Sequence, residues 1–294
     1  MKHFKSGFVA IVGRPNVGKS TILNRLVGQK IAITTDKAQT TRRRIKGILT
    51  NESAQMVFVD TPGVHKPLDK LGEHLLDETK LALPEVDLIL FVVDASEPAG
   101  RGDKWICENL LKKTNIPIII VLNKSDLIKD PLKRESILLT YKTLFENNNP
   151  CVKVSAKTGR NFDTLLDNIT RKLPKGEKIY EDDELTDETM RDIARELIRE
   201  KILLHTRDEI PHSVAVVIEK YEEKSALDII SAVIYVEQDS QKGILIGKNG
   251  QMLKQIGTEA RVEMEEVADK KVFLDLQVKV KKDWRSSSGA TDLY

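Results

Sequence analysis

The sequence predicts an α/β protein: a doubly wound, mostly parallel sheet in its first part, followed by a smaller α+β domain. Three observations carry this. Short apolar runs alternate with amphipathic stretches as far as residue 172, which is βαβ patterning. Glycine-rich or polar motifs stand directly after the apolar runs, where doubly wound folds place their ligands. Beyond Leu173-Pro174 the order becomes one helical stretch, two strand-like runs, two helical stretches around a paired-glycine loop, and a last strand-like run.

The chain's 294 residues suit about two domains. Apolar residues make up 40% and charged residues 31%, and the longest apolar runs, 116–122 and 88–93, fall far short of the ~20 residues of a membrane span. No transmembrane helix is expected. Lys2 and Lys5 precede the apolar stretch 8–12, but cleavage there as a signal peptide would destroy the loop that follows, so a cytosolic chain is expected. Cys107 and Cys151 stand in neither metal-ligand nor C-x-x-C spacing, which leaves reduced structural thiols. The net charge of +2 hides a split: residues 1–172 carry 28 basic and 19 acidic side chains, a net +9, and residues 173–294 carry 19 and 26, a net −7. Nucleic-acid binding by the acidic part would therefore rest on a local motif and not on a long-range field.

Strands are expected at residues 8–12, 56–59, 88–93, 117–122 and 152–154. After the first comes Gly13-Arg14-Pro15-Asn16-Val17-Gly18-Lys19-Ser20-Thr21. Its glycines let backbone N–H groups converge on phosphate oxygens at a helix N-terminus. Lys19 would reach the β- and γ-phosphates, and the Ser20 hydroxyl would ligate Mg²⁺. After the second strand stands Asp60-Thr61-Pro62-Gly63-Val64, with Asp60 placed to hold Mg²⁺ through water and the Gly63 N–H to sense the γ-phosphate. Between these motifs the polar stretch 33–44 contains Gln39-Thr40-Thr41-Arg42, a first switch segment whose threonine completes the metal shell with triphosphate bound. Thr41 is favoured over Thr40. Arg42-Arg43-Arg44 reads as a solvated basic run unless RNA or an acidic partner covers it.

Asn123-Lys124-Ser125-Asp126 closes the fourth run and specifies the base. The Asp126 carboxylate can accept from guanine's ring N–H and exocyclic amine, a donor pair adenine lacks at that edge. Lys124 would lie over the purine and Asn123 would brace the phosphate loop. Ser155-Ala156-Lys157 follows the fifth run, its Ala156 N–H able to donate to guanine O6. These four motifs, in this order, resemble the translation-factor-related class of small GTPases over residues 8–172. GTP or GDP with Mg²⁺ is the implied ligand, and Lys19, Thr41, Gly63 and Asn16 are the residues expected to serve hydrolysis. Val64 stands where Ras-like GTPases carry a glutamine that orients the attacking water. Valine cannot do so, and it is either a packing residue or part of a hydrophobic wall. Slow intrinsic hydrolysis is expected. Asn16 resembles the asparagine that in some members of this class helps hold K⁺ beside the nucleotide; it could equally be a turn-stabilising residue after Pro15.

In the second part an acidic, solvated linker, 175–188, leads to a helix at 187–205 with Ile193, Leu197 and Leu204 on one face. Strands at 214–219 and 229–236 flank a charged turn at 220–225, and a final strand spans 273–280. Gly247-Lys248-Asn249-Gly250 lies between two helical stretches, preceded by Ile244-Leu245-Ile246 and followed by Gln251-Met252-Leu253-Lys254. G-x-x-G in this setting is the loop of a KH module, its glycines allowing close approach to a sugar–phosphate chain that Lys248 neutralises. The order α-β-β-α-α-β is that of a type II KH domain. Ile246, Gly247, Lys248, Asn249, Gly250 and Lys254 are the expected RNA-contacting residues, with Lys242, Lys279, Lys281, Lys282 and Arg285 as further candidates. Trp284 could stack on a base or cover the terminal strand.

The domains expected are 1–173, GTP-binding; 174–186, linker; 187–285, KH-like; and 286–294, tail. One P-loop GTPase domain followed by one KH domain resembles the Era family over residues 7–285. The resemblance implies binding to the 3′ end of 16S rRNA, a role in small (30S) ribosomal subunit assembly, links to the cell cycle, and peripheral contact with the inner face of the cell membrane by a monomer. No amphipathic basic helix accounts for the membrane contact. Two other readings remain, a metabolic GTPase tethered to RNA modification and an RNA binder that uses GTP for stability alone.

Overall fold

The computed structural model describes residues 4–35, 37, 40–41, 43–64, 70–145, 148–207, 210–282 and 284. Gln39, Arg42, Arg285 and the tail 286–294 lie outside the described residues. The chain divides into two compact units, Met1–Asp187 and Glu188–Tyr294.

The first unit runs β1 (Lys5–Val12), α1 (Lys19–Val27), β2 (Ile45–Thr50), β3 (Ala54–Asp60), α2 (Lys70–Ala82), β4 (Leu88–Asp94), α3 (Arg101–Asn109), β5 (Ile118–Asn123), α4 (Pro131–Lys142), β6 (Cys151–Lys153) and α5 (Phe162–Lys172). Its sheet has the order β2-β3-β1-β4-β5-β6, parallel except for β2. The strand order reverses between β1 and β4, so a crevice opens beyond the carboxyl ends of these strands. Helices cover both faces, and the core strands are apolar at nearly every position for that reason. Alternate side chains serve alternate layers. Val9, Ile11, Leu88, Leu90 and Val92 pack with Ile22 and Leu23 of α1 and Leu165 and Ile169 of α5. Ala10, Val12, Ile89, Phe91 and Val93 pack on the other side with Ile106, Ile137 and Tyr141.

The edge strand β2 was not among the expected elements. It lies directly behind the basic run, and its Gly47 sits where a Cβ would meet Leu23, Val27 and Ile31 side chains at 2.7 Å. The missing side chain breaks the period-2 pattern by which a half-buried strand is recognised.

Residues 175–187 are a strap fastened to the first unit, not the solvated linker expected from their charge. Gly176 N–H donates to Phe4 O at 3.2 Å, and Ile48 N–H of β2 donates to Leu185 O at 2.8 Å. The fully buried Gln55 accepts from the N–H groups of Ile179 (2.6 Å) and Tyr180 (2.9 Å), and its amide donates to Tyr180 O at 2.8 Å. Thr186 donates to Lys46 O at 2.6 Å, and Lys46 pairs with Asp187 at 2.8 Å. The strap thus runs beside the strand that leaves the 33–44 segment.

The second unit runs α6 (Met190–His205), α7 (Ile210–Ser213), β7 (Ala215–Glu223), β8 (Leu227–Val236), α8 (Asp239–Ile246), α9 (Gln251–Ala268) and β9 (Lys271–Val280). Apart from the single turn α7, this is the α-β-β-α-α-β order. The sheet is β7-β8-β9, with β7–β8 antiparallel and β8–β9 parallel. Ile193 and Leu197 of α6 and Ile256, Ala260 and Met264 of α9 pack against Ile230, Ala232 and Ile234 of β8. Leu204, expected on that face, is 48% exposed, and Ile198 and Ile202 are buried in its stead. Helix α6 begins later than its charge pattern suggested because Thr189 accepts a hydrogen bond from Asp192 N–H, a cap that fixes the first turn. Residues 220–223, expected in a turn, continue β7 past an irregularity between Ile218 and Lys220. Trp284 is fully buried and its indole N–H donates to Ser213 O at 3.1 Å, so it packs and is not available to stack on a base.

Candidate functional site

Between β1 and α1 the chain turns through a left-handed Asn16 (φ 63°) and a left-handed Gly18 (φ 95°), and Gly18 caps α1 with no side-chain hydrogen bond. The first N–H groups of α1 are therefore left to a ligand. A Cβ on Gly18 would strike the Asn123 amide. Lys19 opens the helix, is 6% exposed, and donates to Arg14 O at 3.0 Å. Burial pushes its ammonium down to about 8, against an opposing pull from Asp60. The Arg14 side chain turns elsewhere, donating to Glu97 at 2.6 Å and Asp103 at 2.8 Å. Glu97 precedes α3 and Asp103 lies in its first turn, so the guanidinium is held from another element while the Arg14 backbone stays in the loop.

A cavity of about 380 Å³ opens at this loop, within the range of ligand sites. Pro15, Asn16, Gly18, Lys19, Ser20, Thr21, Thr41, Gly63, Asn123, Lys124, Asp126, Ala156 and Lys157 line it, bringing all the nucleotide motifs together. Ile33, Thr34, Thr35, Lys37, Thr40 and Leu127 line it too; of these, the sequence had marked 33–44 as a segment without singling out its first residues, and Leu127 carried no signal at all. Gly13, Arg14, Val17, Asp60, Thr61, Pro62, Val64, Ser125 and Ser155 do not line the cavity.

Ser20 donates to Asp60 at 2.6 Å, and its hydroxyl lies 3.0 Å from that of Thr41. The Thr40 hydroxyl instead meets Thr35 at 2.7 Å and Lys37 O at 2.6 Å. Asp60 is fully buried, and its Oδ1 has no hydrogen-bond partner among the described residues. Two hydroxyls and one carboxylate with an unsatisfied oxygen fit Mg²⁺, which takes oxygen donors and keeps waters. Among the described residues no cluster of three His, Cys, Asp or Glu side chains offers an alternative metal site. Burial pushes the Asp60 carboxyl up to about 6, with Lys19 and the hydroxyls opposing. Because this lies above the unfolded value, the folded chain holds the extra proton between about pH 4 and 6, and ionising Asp60 costs stability as pH rises through that window. Without metal or nucleotide, Asp60→Asn is expected to be about 1–3 kcal/mol more stable than the parent chain at pH 7.5, the gap closing below about pH 4. Thermal melts in chelator check this; a less stable variant at pH 7.5 would show that the carboxylate's hydrogen bonds outweigh its burial.

Gly63 packs so closely on Pro15 that a Cβ would lie 2.9 Å from it. Thr61 is buried and donates to Ile11 O at 2.8 Å. Val64 is 2% exposed in the apolar layer, its N–H donating to Gly13 O at 3.1 Å. Of the two roles open to Val64, this is packing.

At the other end, Asn123 donates to Val17 O at 2.8 Å and accepts from Ala156 N–H at 2.9 Å. The Ala156 N–H expected for guanine O6 is thus engaged by Asn123, and a base would have to share it. The Asp126 Oδ1 is buried without a hydrogen-bond partner among the described residues. Ser125 N–H donates to Val154 O at 3.1 Å, and the Ser155 hydroxyl accepts from Thr158 N–H at 3.2 Å, so both serine residues hold their turns. Arg25 of α1 donates to Ala156 O (3.3 Å) and Lys157 O (3.1 Å), fixing this loop from a helix face that no motif marked.

In the second unit Ile246 ends α8, and Gly247 (φ 71°), Asn249 (φ 54°) and Gly250 (φ 75°) have positive φ, the last two in the left-handed helical region. A Cβ on Gly247 would lie 2.7 Å from that of Met252. Lys248, Asn249 and Lys254 are exposed, and neither lysine makes an ion pair among the described residues. Beside the loop is a groove of about 360 Å³ lined by Gly250, Leu253, Lys254, Gly257, Thr258, Arg261, Leu274 and Leu276. Lys254 of this groove was expected; Gly257, Thr258, Arg261, Leu274 and Leu276 escaped sequence reading because α9 and β9 meet only through folding. Lys279 is committed to Glu219 at 3.3 Å, and Lys281 lies 5.8 Å from the Tyr235 ring centre.

Residues 8–124 match the family described as "50S ribosome-binding GTPase", and residues 209–285 match the KH domain family. The chain is 53% identical over 286 residues to GTPase Era of Rippkaea orientalis, covering 97% of this chain and 90% of that one. It is 50% identical over 291 residues to GTPase Era of Carboxydothermus hydrogenoformans, covering 96% and 95%. Among solved structures it resembles Era in complex with MgGDPNP and nucleotides 1506–1542 of 16S ribosomal RNA, with a TM-score of 0.95, 39% identity and 99% of each chain covered. A point variant of Aquifex aeolicus Era bound to GDP and aluminium fluoride gives a TM-score of 0.94 at 40% identity, again with 99% of each chain covered.

Proposed function

Because this chain belongs to the Era family of GTPases, we propose that it is an RNA-binding switch that acts in assembly of the small ribosomal subunit by holding the 3′ end of 16S rRNA. The observation that carries this reading is the presence, in one chain, of a cavity that gathers four nucleotide motifs and a G-x-x-G loop of positive φ beside an open groove. A KH groove takes about four unpaired nucleotides, and the related Era was crystallised with MgGDPNP and a 16S rRNA segment.

In this reading the N–H groups of the phosphate loop and Lys19 hold the phosphates, Asp126 reads the base edge, and Ser20 and Thr41, with Asp60 through water, hold Mg²⁺. Bound Mg²⁺ would neutralise charge on the β- and γ-phosphate oxygens. Thr41 and the Gly63 N–H report the γ-phosphate, so the 33–44 segment orders with GTP. The strap offers a route onward: it hydrogen-bonds to β2, the strand that follows this segment, and ends at Asp187, next in sequence to the RNA-binding unit. No helix among the described residues is long and apolar enough to cross a membrane; a cytoplasmic monomer with peripheral membrane contact is the corresponding placement.

With Val64 buried, no side chain at that position orients the attacking water, and intrinsic hydrolysis should be slow. Asn16 is exposed and lines the cavity; in this reading it ligates K⁺, so hydrolysis should be at least several-fold faster in potassium than in sodium. Equal rates would return Asn16 to a turn role, and fast single-turnover hydrolysis of the chain alone would remove the water-positioning argument. The function is tested by the affinity of the full chain for the 16S rRNA 3′ segment with a GTP analogue and with GDP. Tighter binding with the analogue is expected; equal affinity would leave an RNA binder without a switch.

A further inference from the structure

Asp94 closes β4 and belongs to none of the motifs legible in the sequence. Both of its oxygens are engaged. Oδ1 accepts from the Ser96 N–H at 2.9 Å and from the Ser96 hydroxyl at 2.6 Å, and Oδ2 accepts from the Lys124 ammonium at 2.6 Å. The adjoining strand fixes the pair from below: Asp94 stands opposite Asn123 in the β4–β5 register, and Ala95 N–H donates to Asn123 O at 2.8 Å. The buried Tyr141 hydroxyl donates to Asp94 O at 3.1 Å. Burial alone would push the Asp94 carboxyl up, but the bonds from Lys124 and Ser96 outweigh it and hold it below the usual carboxylate range.

Lys124 is constrained at both ends. Its backbone is left-handed at φ 60°, held in a turn by Leu127 N–H donating to Lys124 O at 3.0 Å, and its ammonium is held by Asp94. Lys124 lines the cavity beside Asp126 and Leu127, whereas Asp94 does not. With the charge occupied from behind, the methylene stem is what the side chain can offer a ligand, and such stems cover flat apolar surfaces well. We propose that Asp94 is a positioning residue of the nucleotide site: it holds Lys124 by its ammonium so that the methylene stem forms an apolar ledge against the face of the guanine base. This rests on the reading that the Asp126 end of the cavity takes the base.

A ledge against the ring face predicts a pattern different from that of an edge contact or a phosphate contact. In the full-length chain, Asp94→Asn should weaken GTP, GDP and ITP by the same factor, about tenfold, raising KM and leaving kcat at saturation unchanged. In a Lys124→Met background, which keeps an apolar stem and removes the charge, Asp94→Asn should cost nothing further. Displacement of a fluorescent guanine nucleotide measures each affinity. An equal loss in both backgrounds would show that Asp94 does not act through Lys124, and an unchanged affinity would show that it does not act at all; either overturns the proposal. Should Asp94→Asn lack a cooperative melt, Ser96→Ala replaces it, removing the hydroxyl that fixes Asp94 while keeping both charges; about threefold weaker binding is expected, and none overturns the proposal. If the parent chain itself failed to prefer guanine nucleotides, the reading of the cavity would fail instead.

Discussion

Asp126→Asn is expected to lower affinity for GTP and GDP by ~10²–10⁴-fold and to make XTP the preferred triphosphate. Two guanine donors, the ring N–H and the exocyclic amine, face a carboxylate in the parent site, and each charge-assisted bond of this kind is worth ~1.5–3 kcal/mol. An asparagine keeps one acceptor and presents an amide donor where the second acceptor stood, which suits the 2-oxo group of xanthine and leaves the guanine amine unpaired in a closed site. The structure makes the change local. Asp126 Oδ1 has no hydrogen-bond partner among the described residues, so no protein bond to that oxygen is lost. The fold should survive: Asn123 still ties Val17 to Ala156 through bonds of 2.8 and 2.9 Å. Competition between GTP and XTP for the site reads the preference directly. A variant that still prefers GTP would place the base elsewhere in the cavity and undo the assignment of its Asp126 end.

What could be read in the sequence, and what could not, divides by the range of the interaction. The buried parallel strands β1, β4 and β5 carry their own signal, because a strand covered on both faces is apolar throughout; residues 88–94 are buried without exception. The phosphate loop and G-x-x-G loop are legible because their backbone demands are met by particular residues within a few positions. By contrast, Gln55 holds residues 124 and 125 positions away, and no local period encodes that contact. The acidic composition of 175–188 pointed to solvent, yet the strap binds chiefly through backbone groups, to which composition is blind. Asp94, Glu97, Asp103 and Arg25 were silent for the same reason. Each acts on a nucleotide loop from another element, and its residue type is ordinary for a surface until the fold brings the partner near. Trp284 was ambiguous because an aromatic near a terminus can cover or stack with equal ease; the carbonyl of Ser213 decides it.

The double substitution Lys248→Asp/Asn249→Asp should lower affinity for a single-stranded 16S rRNA 3′ segment by roughly 10²-fold or more at physiological salt and flatten its salt dependence by about one to two units of slope. GDP affinity should not change. The loop's geometry supports so sharp an effect. Gly247, Asn249 and Gly250 all have positive φ, and the two glycines leave the loop backbone open to close approach by a sugar–phosphate chain. Aspartate tolerates that conformation about as well as asparagine, so the substitution alters charge without demanding a new backbone. Lys248 and Asn249 are exposed, and the reversal is not buffered by an existing ion pair of Lys248 among the described residues. The second unit, residues 188–294, carries 17 basic and 20 acidic side chains, a net −3, and has no broad positive field to compensate. Leu253, Leu274 and Leu276 in the groove offer apolar surface to bases, and Lys254 and Arg261 lie along its wall. Phosphates held at the loop would set the register in which those bases enter. A filter-binding or fluorescence titration across salt concentrations measures both quantities, with a melt to show the variant is folded. A folded variant that bound the same RNA with its parent's affinity would move the RNA site away from Gly247–Gly250, and with it the output of the switch.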